Sequence, residues 1–195
     1  MPLHRIHRED HYLIFTIPTS EVLNKLGRKY PFHIKRGPDS YTQVWKEPLE
    51  IVFKAGDDSR GESVPDLQVM NGRIFFSQKA FDLIGSSLSQ DGEFLPITYD
   101  GKTGYIFNPH VIAEDHDALD DKVTIKNDYG DLQNLGFIEE KLPAGTQVFR
   151  TKADSYHGVF CTELFKQDVE RSGLVGIFFQ PDLANLFGGS ASTRN

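Results

Sequence analysis

Arg73-Ile-Phe-Phe-Ser-Gln-Lys-Ala-Phe-Asp-Leu-Ile84, continuing to Glu93-Phe-Leu-Pro96, reads like a second stretch. That second stretch is Gly158-Val-Phe-Cys-Thr-Glu-Leu-Phe-Lys-Gln-Asp-Val169, continuing to Gly176-Ile-Phe-Phe-Gln-Pro181. Each is a short apolar strand, a hydroxyl residue able to cap a helix, a short helix, and an aromatic strand closed by proline. Ser77 and Thr162 are the expected N-caps, and Gly173 supplies a stop for the second helix. Phe81 with Ile84 or Leu88 points inward from the first helix, Phe165 and Val169 from the second. The continuous apolar run 175–179 suits a strand buried on both faces. The pattern is a strand-helix-strand internal repeat.

Outward from this pair the chain alternates short strands and turns. Asp100-Gly101 allows the two positive φ angles of a type I′ turn and marks a hairpin between strands at 94–99 and 103–108. Pro96 removes one ladder donor and suggests an edge or bulge. Further strands are read at 11–17, 49–54, 122–126, 136–138 and 146–150, with a short helix at 21–26 ended by Gly27. Residues 30–41, 56–63 and 127–134 read as irregular or polar loop. Leu183, Leu186 and Phe187 recur at helical spacing. Strands outnumber helices, so the expected fold is α+β: a twisted, mostly antiparallel sheet with two or three short helices. Residues 1–61 form a strand and helix region of the same domain, 62–187 its core, and 188–195 a small, polar, flexible tail.

At 195 residues the chain suits one domain with a core of its own. Fifteen Phe, with 17 Gly and 10 Pro, fit many short elements joined by turns. The net charge of −7 argues against direct nucleic-acid binding, which needs a basic stripe. It favours basic partners, or simply keeps the domain in solution. Cys161 is the single cysteine, so no internal disulfide forms. No secretory leader and no membrane span is legible, which makes a cytoplasmic location the expectation.

Candidate chemistry is sparse. Gly101-Lys102-Thr103 ends a phosphate-loop pattern, but the glycine required five residues earlier is Pro96. Asp115 and Asp117 open a calcium-loop spacing that fails where Leu119 and Asp120 stand. Asp154, His157 and Cys161 suggest a nucleophile, base and acid, yet four residues of strand span roughly 13 Å, beyond hydrogen-bond reach. A buried, inert Cys161 is the better reading. His4, His7 and His11 would share a helical face for a metal, but the following strand pattern breaks that geometry and leaves them at a frayed terminus. No cofactor and no metal are expected. The acidic stretch carrying Glu114, Asp115, Asp117, Asp120 and Asp121 reads as a solvated turn or as a contact patch for a basic partner. Phe32, Tyr41 and Trp45, in proline-rich irregular sequence, are interface anchors or the cover of an open sheet face.

The order of several motifs resembles a known family. Pro65-Asp66-Leu67, Ile74-Phe-Phe-Ser77, Glu93-Phe-Leu-Pro96, Tyr105-Ile-Phe-Asn108 and Asp117-Ala-Leu-Asp120 carry the first part of the likeness. Val148-Phe-Arg150, Val159-Phe-Cys-Thr162, Phe165, Gly173-Leu-Val-Gly176 and the run 178–181 carry the rest. Residues 62–181 thereby resemble the bacterial immunity-protein family, first described as a domain of unknown function and found beside polymorphic and type VI secretion toxins. Cys161-Thr162 departs from the family's usual apolar residue and serine, and Pro96 follows a shorter apolar run than the family's. The resemblance implies a protein without catalysis that binds a cognate toxin and occludes its active site. The acidic stretch, with Trp45 and Tyr41, is the expected contact, suited to a toxin with a basic surface. Two other readings compete: an enzyme of unrecognised class, hydrolase or nucleotide-modifying, and a general interaction module of a secretion system. A deep pocket with convergent polar groups would favour the enzyme. Several partners of modest affinity would favour the module.

Overall fold

The computed structural model describes residues 2–56 and 61–186. The expected tail at 188–195, Phe187, and the centre of the polar loop at 56–63 lie outside the described residues. In chain order the strands are β1 (Leu3–Arg8), β2 (Ile14–Thr16), β3 (Leu49–Glu50), β4 (Val52–Lys54), β5 (Leu67–Met70), β6 (Arg73–Ser77), β7 (Gly92–Tyr99), β8 (Lys102–Pro109), β9 (Ile125–Lys126), β10 (Leu132–Asn134), β11 (Val148–Phe149), β12 (Val159–Thr162) and β13 (Ile177–Gln180). The α-helices are α1 (Thr19–Lys25), α2 (Gln78–Ile84) and α3 (Glu163–Arg171). The fold is α+β with mostly antiparallel sheets.

One sheet has the order β3-β7-β8-β6-β5 and is antiparallel except where β3 joins β7. The other has the order β11-β12-β1-β13, antiparallel throughout. Strand alternation gives each sheet two apolar faces. Ile74, Phe76 and Phe107 meet Ile6, Val159, Cys161 and Ile177 in one core, which also takes Ala80 and Ile84 of α2 and Phe165 and Val169 of α3. Phe75, Leu95, Ile97 and Ile106 face the other way, into a second core closed by the first fifty residues. Phe149 and Phe160 face a third, closed by residues around Ala113, Ala118 and Leu142. The sheets meet where Val175 O accepts the N–H groups of Asp66 and Leu67, both at 3.0 Å. Gly176 sits there at φ +109°, and a Cβ on it would lie 2.2 Å from Leu67 O. Only glycine fits both conditions.

The Asp100-Gly101 hairpin forms as read, with φ of 46° and 72° at its two turn residues. Ser77 caps α2, its Oγ accepting from Ala80 N at 3.1 Å. Thr162 does not cap α3: its hydroxyl is buried and, among the described residues, has no partner. The terminus carrying His4 and His7 is not frayed. It is β1, between β12 and β13. Its polar residues hid it, because His4, Arg5 and His7 are matched by groups far along the chain. The strand read at 11–17 shortens to β2, and that at 49–54 divides into β3 and β4 around buried Ile51. The strand at 122–126 is reduced to β9, and 127–134 is no plain loop, since β10 closes a hairpin on β9. The strand at 146–150 keeps only β11, and 136–138 only an isolated bridge from Leu119 to Phe137. The run 175–179 is an edge strand, half-buried beyond Ile177, with Val175 exposed. Residues 183–186 form no helix.

The irregular segment 30–46 is fixed by buried charge. Arg73 donates to the carbonyls of Phe32 and Lys35, with its guanidinium 3.8 Å above the Phe32 ring. Arg150 donates to the carbonyls of Arg36 and Pro109. Glu93 accepts from Ser40 and Thr42 hydroxyls, Tyr41 N and Asn108 Nδ2.

Candidate partner-binding face

The acidic stretch begins where backbone geometry leaves no slack. Ala113 and Ala118 are fully buried, and Ala118 N donates to Ala113 O at 2.8 Å, closing the turn between them. Asp117 takes the left-handed conformation at φ 53°, which aspartate tolerates better than most residues. Ala113 N donates to Arg150 O, Asp120 N to Gly136 O, and Ile138 N to Ala118 O. The turn is thus tied at one end to Arg150, just after β11, and at the other to the segment 136–138.

Its carboxylates divide into two kinds. Glu114 is a bracket: it accepts from the Thr151 hydroxyl at 2.6 Å and from Lys152 N and Ala153 N at 2.9 Å each. Asp120 is part bracket, accepting from Lys122 N at 3.0 Å. Asp115, Asp117 and Asp121 are exposed, with Asp115 ion-paired to Lys152. Residues 113–134 hold seven carboxylates and two lysines, a net −5 of the chain's −7. Charge is therefore concentrated in about a ninth of the length, on a scaffold already held in place.

The two aromatics expected beside this patch are elsewhere. Tyr41 is 1% and Trp45 7% exposed. Both pack with Phe32 against the outer face of the five-stranded sheet, and Trp45 donates its indole N–H to Pro96 O. They are the cover of that face, held by burial and by edge contacts with the Phe32 ring on which Arg73 stacks, and are not available to a partner. The exposed aromatic of the acidic region is Tyr129, 92% exposed at the tip of the β9–β10 hairpin, with Ile125 53% and Val123 41% exposed on the same arm. Sequence reasoning missed it by treating 127–134 as polar loop. The available signal was a tyrosine beside glycine between two aspartates, in a segment with too few apolar residues to bury it.

Other clusters of reactive groups are organised differently. The histidine in register with Cys161 is His4, its opposite residue in the β1–β12 ladder. His4 Nε2 lies 2.7 Å from Glu163 Oε2, a cysteine-histidine-glutamate set in outline. Cys161 is fully buried, burial raises its pKa well above the ordinary thiol value, and His4 Nδ1 has no hydrogen-bond partner among the described residues. A protonated thiol sealed in a core is no nucleophile. His157 is turned away, its Nδ1 2.9 Å from Asp154 O.

A cleft of about 340 Å³ runs beside β1, lined by Arg5, His7, Arg8, Asn71, His157 and Phe178. Burial, with the Arg5 charge, lowers the His7 pKa to about 4, so the ring is neutral at pH 7, stacked on Phe178. Its free Nε2, like Asp154 Oδ1 nearby, is closed to solvent. Neither can meet a ligand in the cleft. Among the described residues no group of three or more His, Cys, Asp or Glu is placed to hold a metal, and no helix is long and apolar enough to cross a membrane.

No protein-family model matches the chain, and no curated protein matches it.

Proposed function

We propose that this chain is an immunity protein, which binds a cognate toxin with a basic surface and neutralises it by covering its active site. One observation carries the reading: the net −5 gathered in residues 113–134 is largely exposed and held by a scaffold built around Glu114. The motif order that resembles the immunity-protein family across 62–181 supports it. Such a protein works by surface complementarity. A stable contact covers roughly 800 Å² on each partner. Carboxylates facing a cationic surface raise the rate of encounter, by orders of magnitude at low salt. A turn already fixed by Glu114, Asp120 and Asp117 spares the ordering entropy that a loose acidic loop would lose on binding.

The location of the complex would be the cytoplasm of the cell that makes both proteins. The test is protection. Cells expressing the toxin encoded beside this gene should survive when this chain is co-expressed and die when it is not. Equal killing with and without the chain, at matched toxin levels, would sink the reading.

A further inference from the structure

Among the described residues the β9–β10 hairpin belongs to neither large sheet, and its strands pair only with each other. Two-stranded hairpins are marginal by themselves, so this one must be fixed by its surroundings. At its base, Leu132 packs on the third core and Thr124 exchanges hydrogen bonds with Gly136. At its tip, Asn127 Oδ1 accepts from Tyr129 N at 3.0 Å and Asp131 N at 2.8 Å, Asn127 N donates to Asp131 O, and Gly130 turns the chain at φ 87°. The result is a fixed arm that holds a phenol ring almost wholly in water.

We propose that this hairpin is the anchor of the interface, and that Tyr129 enters an apolar pocket rimmed by Lys and Arg on a basic protein. The inference rests on the partner-binding reading above and names its recognition element. Tyrosine is a preferred hot-spot residue because it buries a large, rigid surface for the loss of two torsions. Tyr129 is the most exposed large hydrophobic among the described residues, and Ile125 and Val123 extend apolar surface back along the arm. Asp128 and Asp131 lie on either side of Tyr129 and Gly130 in the turn, both exposed, with Asp131 Oδ2 accepting from Asn127 Nδ2; Asp121 lies at the base, and Lys126 is the one cation on the two strands. Those carboxylates select the partner's class. They repel nucleic-acid phosphates, and in a two-fold dimer of this chain the same carboxylates would face one another. A cationic protein surface answers them.

The two kinds of residue then govern different rates. Carboxylates act at a distance and set association, while the buried ring sets residence time. The test places a photo-reactive phenylalanine analogue at Tyr129 of the full chain, in the cell that makes it, and identifies the adduct by mass spectrometry. The expected adduct is one basic protein, linked through a pocket bordered by lysine or arginine. Binding kinetics with that protein should show Tyr129→Ala releasing it about 30-fold faster at unchanged association, the loss typical of an aromatic hot spot. Tyr129→Phe should bind nearly as the parent does. Asp128→Asn with Asp131→Asn should slow association and flatten its salt dependence.

The proposal is overturned by an adduct with a second copy of this chain or with an acidic protein, by the absence of any adduct, or by Tyr129→Ala binding as the parent does. The two readings fail separately. If the hairpin binds the basic protein but cells still die, protection is wrong and the anchor stands. If Tyr129→Ala binds and protects fully, the anchor is wrong and protection stands.

Discussion

Four strands of the first sheet lie in the same spatial order as the four of the second, but one position is filled from different ends of the chain. In the first, β8 lies antiparallel between β6 and β7, with β5 outside β6. In the second, β1 lies antiparallel between β12 and β13, with β11 outside β12. β8 follows β7 through the two-residue turn at Asp100-Gly101 and is rich in apolar residues, Tyr105, Ile106 and Phe107. β1 comes from the N-terminus, with His4 and Glu163 meeting across 159 residues. Loop closure costs about 0.6 kcal/mol for each doubling of length, so docking β1 costs on the order of 4 kcal/mol more than closing the hairpin. β1 also lacks a turn to set its register, and a one-residue slip would turn every side chain to the wrong face. Its polar residues supply that register. His4 meets Glu163, Arg5 meets Asp154 and Leu183 O, and His7 stacks on Phe178. A strand delivered locally can be apolar; one delivered from a distance is addressed by named partners.

Removing residues 1–9 is the most severe way to break that comparison. β12 and β13 would lose their shared neighbour, and the first core would lose Ile6. The expected outcome is a chain with no cooperative thermal transition by calorimetry. A truncated chain that still melts in one sharp step would show that β1 is an accessory.

The next test separates register from raw stability. Arg5 and Asp154 are almost wholly buried, with Nη2 and Oδ2 3.1 Å apart. Arg5→Ala strands the carboxylate and should cost about 3–5 kcal/mol in urea unfolding. Arg5→Met with Asp154→Asn leaves no buried charge and keeps an acceptor for Gly158 N. It should cost well under half of the single change. If the pair mainly addresses the strand, amide exchange in β1 should nevertheless quicken in the double variant. Unchanged exchange would mean that the apolar contacts of Ile6 suffice for register.

The same contrast explains what was legible in the sequence. The centre of the first sheet was, because its signals are local: Asp100-Gly101 fixes a hairpin, Ser77 a cap, and the 73–77 run a buried strand. Its edges were not, since 67–70 carries no strand reading and 49–54 reads as one strand where β3 and β4 join different sheets. β1 was not, because Leu3-His-Arg-Ile-His-Arg8 has one strongly apolar centre and looks solvated until Glu163, Asp154 and Phe178 are brought to it. Among the site residues, the acidic stretch was legible as charge. Its division into brackets and free carboxylates was not, since the groups that Glu114 holds lie some forty positions away. Trp45 and Tyr41 were drawn toward the surface by their proline-rich context, and the fold buries them because the outer face of the first sheet had to be covered.

Titration should weaken the two halves in different pH ranges. In the second, folded His7 takes its proton only near pH 4, against an ordinary value of 6.5. Between those values the unfolded chain holds more protons, so stability falls as pH falls through that window, and is unaffected above it. In the first, burial alone would raise the Glu93 carboxyl, but hydrogen bonds from His110, Thr42, Asn108 and Tyr41 N hold it far below its ordinary 4.5. Its contribution is complete above 4.5 and erodes only as pH drops below that. Urea midpoints across pH should therefore decline in two stages. His7→Gln should flatten the upper one and Glu93→Gln the lower. A single decline starting below 4.5 in the parent chain would remove His7 from the account.

The smallest expected effect concerns the two helix starts. Ser77 and Thr162 occupy matching places, each extended and each just before its helix. Ser77 Oγ accepts from Ala80 N, so Ser77→Ala should cost about 1 kcal/mol. Thr162 accepts nothing, and its buried hydroxyl has lost water without gaining a partner among the described residues. Thr162→Val keeps the shape and removes that unsatisfied group, while Thr162 N still donates to Gln147 O. It should be neutral or stabilising by up to about 1 kcal/mol. Opposite signs from two substitutions at like positions would mean that α3 starts where the sheet places it and α2 where its cap does. A loss at Thr162 equal to that at Ser77 would show a cap bond forming there in solution, and the two helix starts would then be alike.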